Sequence, residues 1–366
     1  MKYLVFIFLA TSVSASFTGD VYQILAKEDA DKNIISSPLS LEIVMAMMYM
    51  GAQGNTATEI KTALQLPLKR KDVAKKYKAF VTNLHAREQV AFLELANRIY
   101  VNDQWSLVPE FNKILADSFE AEAVPISVLN PTAAAATINS WVYTHTRNKI
   151  FEVVNSDDTN ADFATVLINA IYFKGEWKYK FNKVEKHIFR TSSNQILQVD
   201  MMSLNRVHLK THRFADLDAK VIELPYRNSS LSMQIFLPNR IDGLSELESQ
   251  IGRFDRVLRE KNVFDVKIPK FKIEFKKELK EVLRKFGIES VFSYAASLGD
   301  MVSGKTKVTK VYQEAFLEVD EEGAEAPGVK VDCVGCSLPT FIADHPFAFL
   351  IRDEKTIYFQ GHFVRP

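Results

Sequence analysis

The chain has 366 residues, 47% hydrophobic and 25% charged, an ordinary globular composition. Its 46 Lys and Arg against 45 Asp and Glu leave a net charge of +1, which argues against a nucleic acid as the dominant partner. Length alone allows two domains, but no Gly/Ser/Pro-rich linker or charge block divides the chain, so one domain is expected over residues 16–366. Residues 1–15 read as a secretory signal peptide. Lys2 precedes an apolar run over 3–10, and small residues follow at Ser12, Ser14, Ala15 and Ser16. The run is too short to span a bilayer, and no later stretch is long enough. The expectation is a secreted, extracellular protein without a membrane span.

Residues 20–26 suggest a first amphipathic helix. Ser37-Pro38 then opens a second, with a capping residue, Pro at the first helical position and apolar Ile43, Val44, Met47 and Met48 behind it. Apolar on most sides, that helix should lie deep in the core, with its methionines as filling and Gly51 and Gly54 as its stop. Lys69, Arg70, Lys71, Lys75, Lys76 and Lys78 make the most basic window, which a solvated helix face explains. Runs at 95–101 and 166–173 are strand-like, and between them 133–146 is helical with Trp141 on the apolar face. Residues 221–224 and 231–237 flank the turn residues 225–229 as a hairpin. Asn228 in that turn heads the one N-glycosylation sequon, though turn chemistry alone also explains an Asn there. Residues 267–285 alternate Lys with Ile and Phe, as an exposed edge strand guarded by lysines and followed by a helix. Strands and helices are interspersed without regular βαβ alternation, which gives α+β.

The end of the chain carries its most unusual stretch. Leu317 and Val319 belong to an alternating strand that stops at Glu321-Glu322-Gly323. About twenty residues of mixed Ala, Gly, Pro, Cys and Asp follow before Asp344-His345-Pro346 turns into the buried-strand run 347–351. Loops of that length are uncommon inside a compact domain unless they are functional or disordered. This spelling resembles the serpin family, in which the loop is protease bait. The same resemblance is carried by residues 33–40 (NIISSPLS), 95–100 (LANRIY), 138–142 (INSWV), 169–177 (NAIYFKGEW), 223–226 (ELPY), 269–271 (PKF) and 343–347 (ADHPF). Seven blocks in order make a specific match.

The resemblance implies a serpin fold with about nine helices, three mainly antiparallel sheets and a reactive-centre loop over about 321–344. It implies a monomer whose partner is an extracellular serine protease, or a cysteine protease, trapped when the cleaved loop inserts as a new central strand. In some serpins the helix bearing the basic window also binds sulfated polysaccharide. Ser37, Ser40 and Asn169 match the hydrogen-bonded gate that holds the main sheet shut, and Gln313 stands where many members carry His. An amide can still bridge these groups but removes a titratable switch.

The hinge starts as the family pattern requires, with Glu321, Glu322, Gly323, Ala324, Glu325 and Ala326. It then departs. Pro327 has no N–H and would sit in a central strand, where Pro is essentially excluded. Inward positions continue as Gly328, Lys330, Asp332 and Val334, and a buried unpaired Lys or Asp opposes insertion. Counting as in typical inhibitors places the reactive bond at Ser337-Leu338, which leaves a short segment before His345. Cleavage at Lys330 would release too little strand to carry a protease to the far pole, about 23 Å where about 46 Å is needed. The resemblance therefore leaves two readings open, a suicide-substrate inhibitor and a non-inhibitory serpin acting as substrate, binding or carrier protein.

Other chemistry lacks context. The sequence has no G-x-S-x-G, H-E-x-x-H or G-x-x-x-x-G-K-[ST] motif and its seven His are scattered, so neither an enzyme nor a cofactor is expected. His345 before Pro346 reads as a turn residue rather than an acid–base group. Cys333 and Cys336, the only cysteines, supply half the ligands a structural zinc needs, so no metal is expected. In an oxidising compartment they can close an intraloop disulfide or cross-link to another chain; two unpaired thiols remain the alternative.

Overall fold

The computed structural model describes residues 15–85, 91–160, 162–250, 258, 260–323 and 338–366. The signal-peptide reading up to residue 14 lies outside them, as do Ala324, Glu325, Ala326, Pro327, Cys333, Cys336 and Ser337. In chain order the elements begin α1 (Ala15–Glu28), β1 (Ile34–Ser36), α2 (Pro38–Gly51), α3 (Gly54–Ala63) and α4 (Arg70–His85). Next are β2 (Ala91–Asn102), β3 (Ser106–Leu107), α5 (Pro109–Phe119), β4 (Glu122–Ile126), α6 (Pro131–His145) and β5 (Thr165–Gly175). The middle holds β6 (Lys183–Arg190), β7 (Ile196–Phe214), β8 (Ala219–Pro225), β9 (Ser232–Pro238) and α7 (Leu244–Glu248). After these come β10 (Glu260–Pro269), β11 (Phe271–Glu278), α8 (Lys280–Arg284) and β12 (Val302–Ser303). The chain closes with β13 (Val308–Val319), β14 (Thr340–Ile342), β15 (Phe347–Arg352) and β16 (Ile357–Phe363). Among the described residues there are thus eight α-helices, close to the nine expected, and three sheets.

The largest sheet runs β1-β16-β15-β9-β8-β7-β10-β14, with β6 also on β7. A five-stranded sheet runs β11-β13-β5-β2-β4, and β12 pairs with β3. Pairing is antiparallel except for β10–β14, β13–β5 and β2–β4. The expected hairpin is β8–β9, with Val221 opposite Phe236 and Leu224 opposite Met233. In its turn Asn228 is exposed at a φ of +47°, a left-handed conformation that Asn tolerates better than most residues.

Local chemistry explains the elements around the five-stranded sheet. The Ser37 hydroxyl accepts from the Ser40 N–H and caps α2, and Pro38 occupies its first turn. Nearly every residue of α2 is buried, including Met45, Met47, Met48 and Met50, so it runs through the core rather than along its surface. Gly54, expected to help stop α2, instead opens α3 with a φ of +52°. In β11, buried Phe271, Ile273 and Phe275 alternate with exposed Lys272, Glu274 and Lys276, as befits an edge strand with a lysine guard. The main core packs α2 against this sheet, while a second cluster packs α6 on its other face. That cluster joins Ile138 and Val142 to Tyr100, Ile168, Tyr172, Tyr312 and Phe316. No helix among the described residues is long and apolar enough to cross a membrane.

Candidate functional site

The site is a seam, the contact between β5 and β13. These strands pair directly and in parallel from Val308–Thr165 to Leu317–Phe173, so no strand lies between them. A strand added between them would have to replace the hydrogen bonds of this ladder on both sides. Two sets of contacts hold the seam, one in mid-strand and one at its upper end.

The mid-strand set is built on three residues in register, Gln313 on β13, Asn169 on β5 and Asn97 on β2. Period-two alternation puts all three side chains on one face, where the start of α2 meets the sheet. The Gln313 amide donates to the Ser37 carbonyl at 2.9 Å, to Asn169 Oδ1 at 2.8 Å and to Ser40 Oγ at 3.3 Å. Its oxygen accepts from Ser36 Oγ at 2.6 Å and from the Ser37 N–H at 3.2 Å. Ser40 Oγ donates to Asn169 Oδ1 at 2.7 Å, and Asn169 Nδ2 to Asn97 Oδ1 at 2.6 Å. One amide end faces donors and the other acceptors, which fixes its orientation. The structure therefore brings together Ser37, Ser40, Asn169 and Gln313, and all are buried. Ser36 and Asn97 complete the network and were not singled out from the sequence. Their signal was present, since Ser36 adjoins the cap and Asn97 lies at a polar break in an apolar strand.

At the upper end, β13 runs on into the hinge, which lies against the segment after β5. The Trp177 indole N–H donates to the Asp320 carbonyl at 2.7 Å. The Trp177 and Phe181 backbone N–H groups donate to the carbonyls of Glu322 and Glu321 at 3.0 and 3.2 Å. Gly323 forms a parallel bridge with Trp177, and a Cβ there would fall 2.6 Å from the Trp177 carbonyl oxygen, so the close approach requires glycine. Ion pairs flank this ladder: Lys270–Glu321 at 2.6 Å, Lys174–Asp320 at 2.7 Å and Lys180–Glu322 at 3.5 Å. The hydrogen bond from Lys270 holds the Glu321 carboxyl below its usual range. Burial pushes Glu318 up, but Lys174, Lys149 and Lys272 around it outweigh that and lower it.

Beyond the loop, Leu338 is half-buried and leads into β14, and the Pro339 carbonyl accepts from the Asp265 N–H. His345 bonds through Nδ1 to Asp344 and through Nε2 to the Pro238 carbonyl, which anchors the turn as expected. In the basic window Lys69, Lys71, Lys75 and Lys78 are exposed. The other two are engaged within the chain: Arg70 pairs with Asp300 and bonds the carbonyls of Met50 and Ala52, and Lys76 pairs with Glu42.

Comparison with known proteins agrees with this geometry. The family model described as Serpin (serine protease inhibitor) matches residues 12–366. Serine protease inhibitor 42Dd of Drosophila melanogaster is 45% identical over the full length of both chains. The crystal structure of Serpin48 from the insect Tenebrio molitor superposes with a TM-score of 0.88 at 33% identity, covering 96% of each chain. Uncleaved ovalbumin superposes with a TM-score of 0.90 at 28% identity, covering 96% of this chain and 98% of that one. The family match also corrects the bare statement that the chain is no enzyme. It replaces that negative with a positive assignment, to inhibitors of an enzyme class. The chain belongs to the serpin family of serine protease inhibitors.

Proposed function

We propose that the protein is a secreted serpin that presents residues 324–337 as bait to an extracellular protease and traps it by inserting the cut loop into the β5/β13 seam. The observation that carries this reading is the seam itself, with its strands paired directly and the hinge residues Glu321, Glu322 and Gly323 lying against Trp177 at its upper end. Ser37, Ser40, Asn169 and Gln313, with Ser36 and Asn97, act as the gate that must part. Ala324 and Ala326 are small enough to follow as inward residues, and Ser337-Leu338 is the reactive bond. The name of the Drosophila relative favours the same activity.

The signal peptide at residues 1–15 leads to the oxidising compartment in which Cys333 and Cys336 can pair and Asn228 can be glycosylated. Exposed Lys69, just before α4, and Lys71, Lys75 and Lys78 on it are the surface a sulfated polysaccharide would meet, reduced from six cations to four by the engagement of Arg70 and Lys76.

One feature favours the second reading, a non-inhibitory serpin cleaved as an ordinary substrate. Pro327 lacks the N–H a central strand needs, and Lys330 and Asp332 would enter buried positions. The two readings part on a denaturing gel after incubation with trypsin-, chymotrypsin- and elastase-like proteases. Trapping gives a covalent band at the summed mass; clean cleavage of the loop without that band overturns it.

A further inference from the structure

Glu314 lies one residue past the gate glutamine, on the opposite face of β13, and is 1% exposed. Its strand neighbours on that face are Tyr312 and Phe316, which pack in the cluster under α6. The segment after α6 crosses this face like a strap. Lys149 reaches Glu318, the Glu152 carbonyl accepts from Lys276, and Asp158 bonds Lys310 and Tyr312. Glu314 is thus covered, and its Oε2 is buried without a hydrogen-bond partner.

The groups that face it come from each packed element. From β11 it meets Lys276, its register partner, and the diagonal neighbour Glu274, whose side chain is exposed; from the strap it meets Glu152. On β5 the residue opposite is Ala170, and the only ionisable groups of α6 are Tyr143 and His145. A carboxyl buried with an oxygen that no donor reaches, beside a second carboxyl, is favoured in its neutral form.

We propose that Glu314 is a proton-operated catch on the β5/β13 seam, accommodated beneath the strap while its carboxyl is neutral and favouring the strap's release when the proton leaves. Burial, and then the neighbouring Glu274, raise the Glu314 carboxyl to about 8. The sign follows. A carboxyl raised in the closed sheet above its value of 4.5 in an open one binds an extra proton in the closed state, so opening becomes easier as pH rises towards 8. The link from this opening to loop insertion rests on the inhibitory reading above.

Hydrogen exchange of the intact protein at pH 6.5 and 8.5, corrected for intrinsic rates, tests the catch without any protease, so a failure of trapping leaves the test standing. Protection of the β5 and β13 amides should fall by about tenfold or more between the two values. In Glu314→Gln it should stay flat, because the amide keeps the shape of the protonated acid. Glu274→Gln removes the neighbouring charge but leaves the burial, so its fall should be smaller and begin at lower pH, and it carries the test if the first variant does not fold. Flat protection in the unmodified protein, or a fall of equal size in the folded variants, overturns the proposal.

Discussion

The middle of the seam and its upper end are held by different chemistry. At the gate, Gln313, Asn169, Asn97 and Ser40 are buried and neutral, and the network works by completeness of hydrogen bonding. At the hinge, backbone and indole hydrogen bonds are reinforced by ion pairs whose side chains are partly open to solvent. Burial makes the gate costly to breach and indifferent to salt, while exposure makes the hinge ion pairs weak, screened and dependent on charge. The upper end therefore has the weaker, more adjustable hold of the two.

The contrast breaks most readily at Gln313. Gln313→Ala removes the acceptor of the Ser37 N–H and of the Ser36 hydroxyl, while the Ser37 carbonyl and Asn169 Oδ1 keep Ser40 Oγ; at about 1–3 kcal/mol per unsatisfied group, a loss of about 2 kcal/mol or more is expected. Thermal and urea unfolding of the uncleaved protein measure it. A loss below that of any hinge variant would reverse the ranking of the two regions.

Trp177→Phe sharpens the hinge side. It keeps an aromatic ring stacked on Tyr226 but removes the donor to the Asp320 carbonyl, for an expected cost of about 1 kcal/mol. Amide exchange should rise at residues 320–323 and stay unchanged at 167–169. A uniform rise across both would mean that the two regions do not open separately.

The smallest effect belongs to Glu321→Gln, which removes the ion pair with Lys270 at a cost of up to about 1 kcal/mol. Because Glu321 is lowered by that contact, its contribution is present above the ordinary carboxyl value and lost as pH falls through the lowered one. The melting-temperature difference from the unmodified protein should accordingly vanish in 1 M salt, where the screening length is about 3 Å, and again in acid. A difference that survives both would make the pair a structural bond like those of the gate.

Much of this arrangement is legible in the residues. Ser37-Pro38 announces the start of α2, the alternation of Phe271 to Lys276 announces a guarded edge, and the run at 347–351 announces the buried β15. The hinge spelling marks where β13 must end. The gate was only partly legible: Ser36 and Asn97 join it through a register spanning three strands, which no local pattern contains. Arg70 and Lys76 read as part of a free basic face until Asp300 and Glu42, distant in sequence, come to meet them.

Glu314 marks the boundary most clearly. The alternation Lys310, Tyr312, Glu314, Phe316, Glu318 by itself determines that these side chains share one face of β13, and the charges among them suggest a face towards water. Periodicity carries that much because it is set within a few residues of backbone. Whether water reaches the face was decided only by the tertiary structure, when the segment after α6 crossed the sheet and turned an ordinary surface glutamate into a buried acid beside a second one. Burial and charge environment depend on chain segments that meet only after folding, which no local pattern contains.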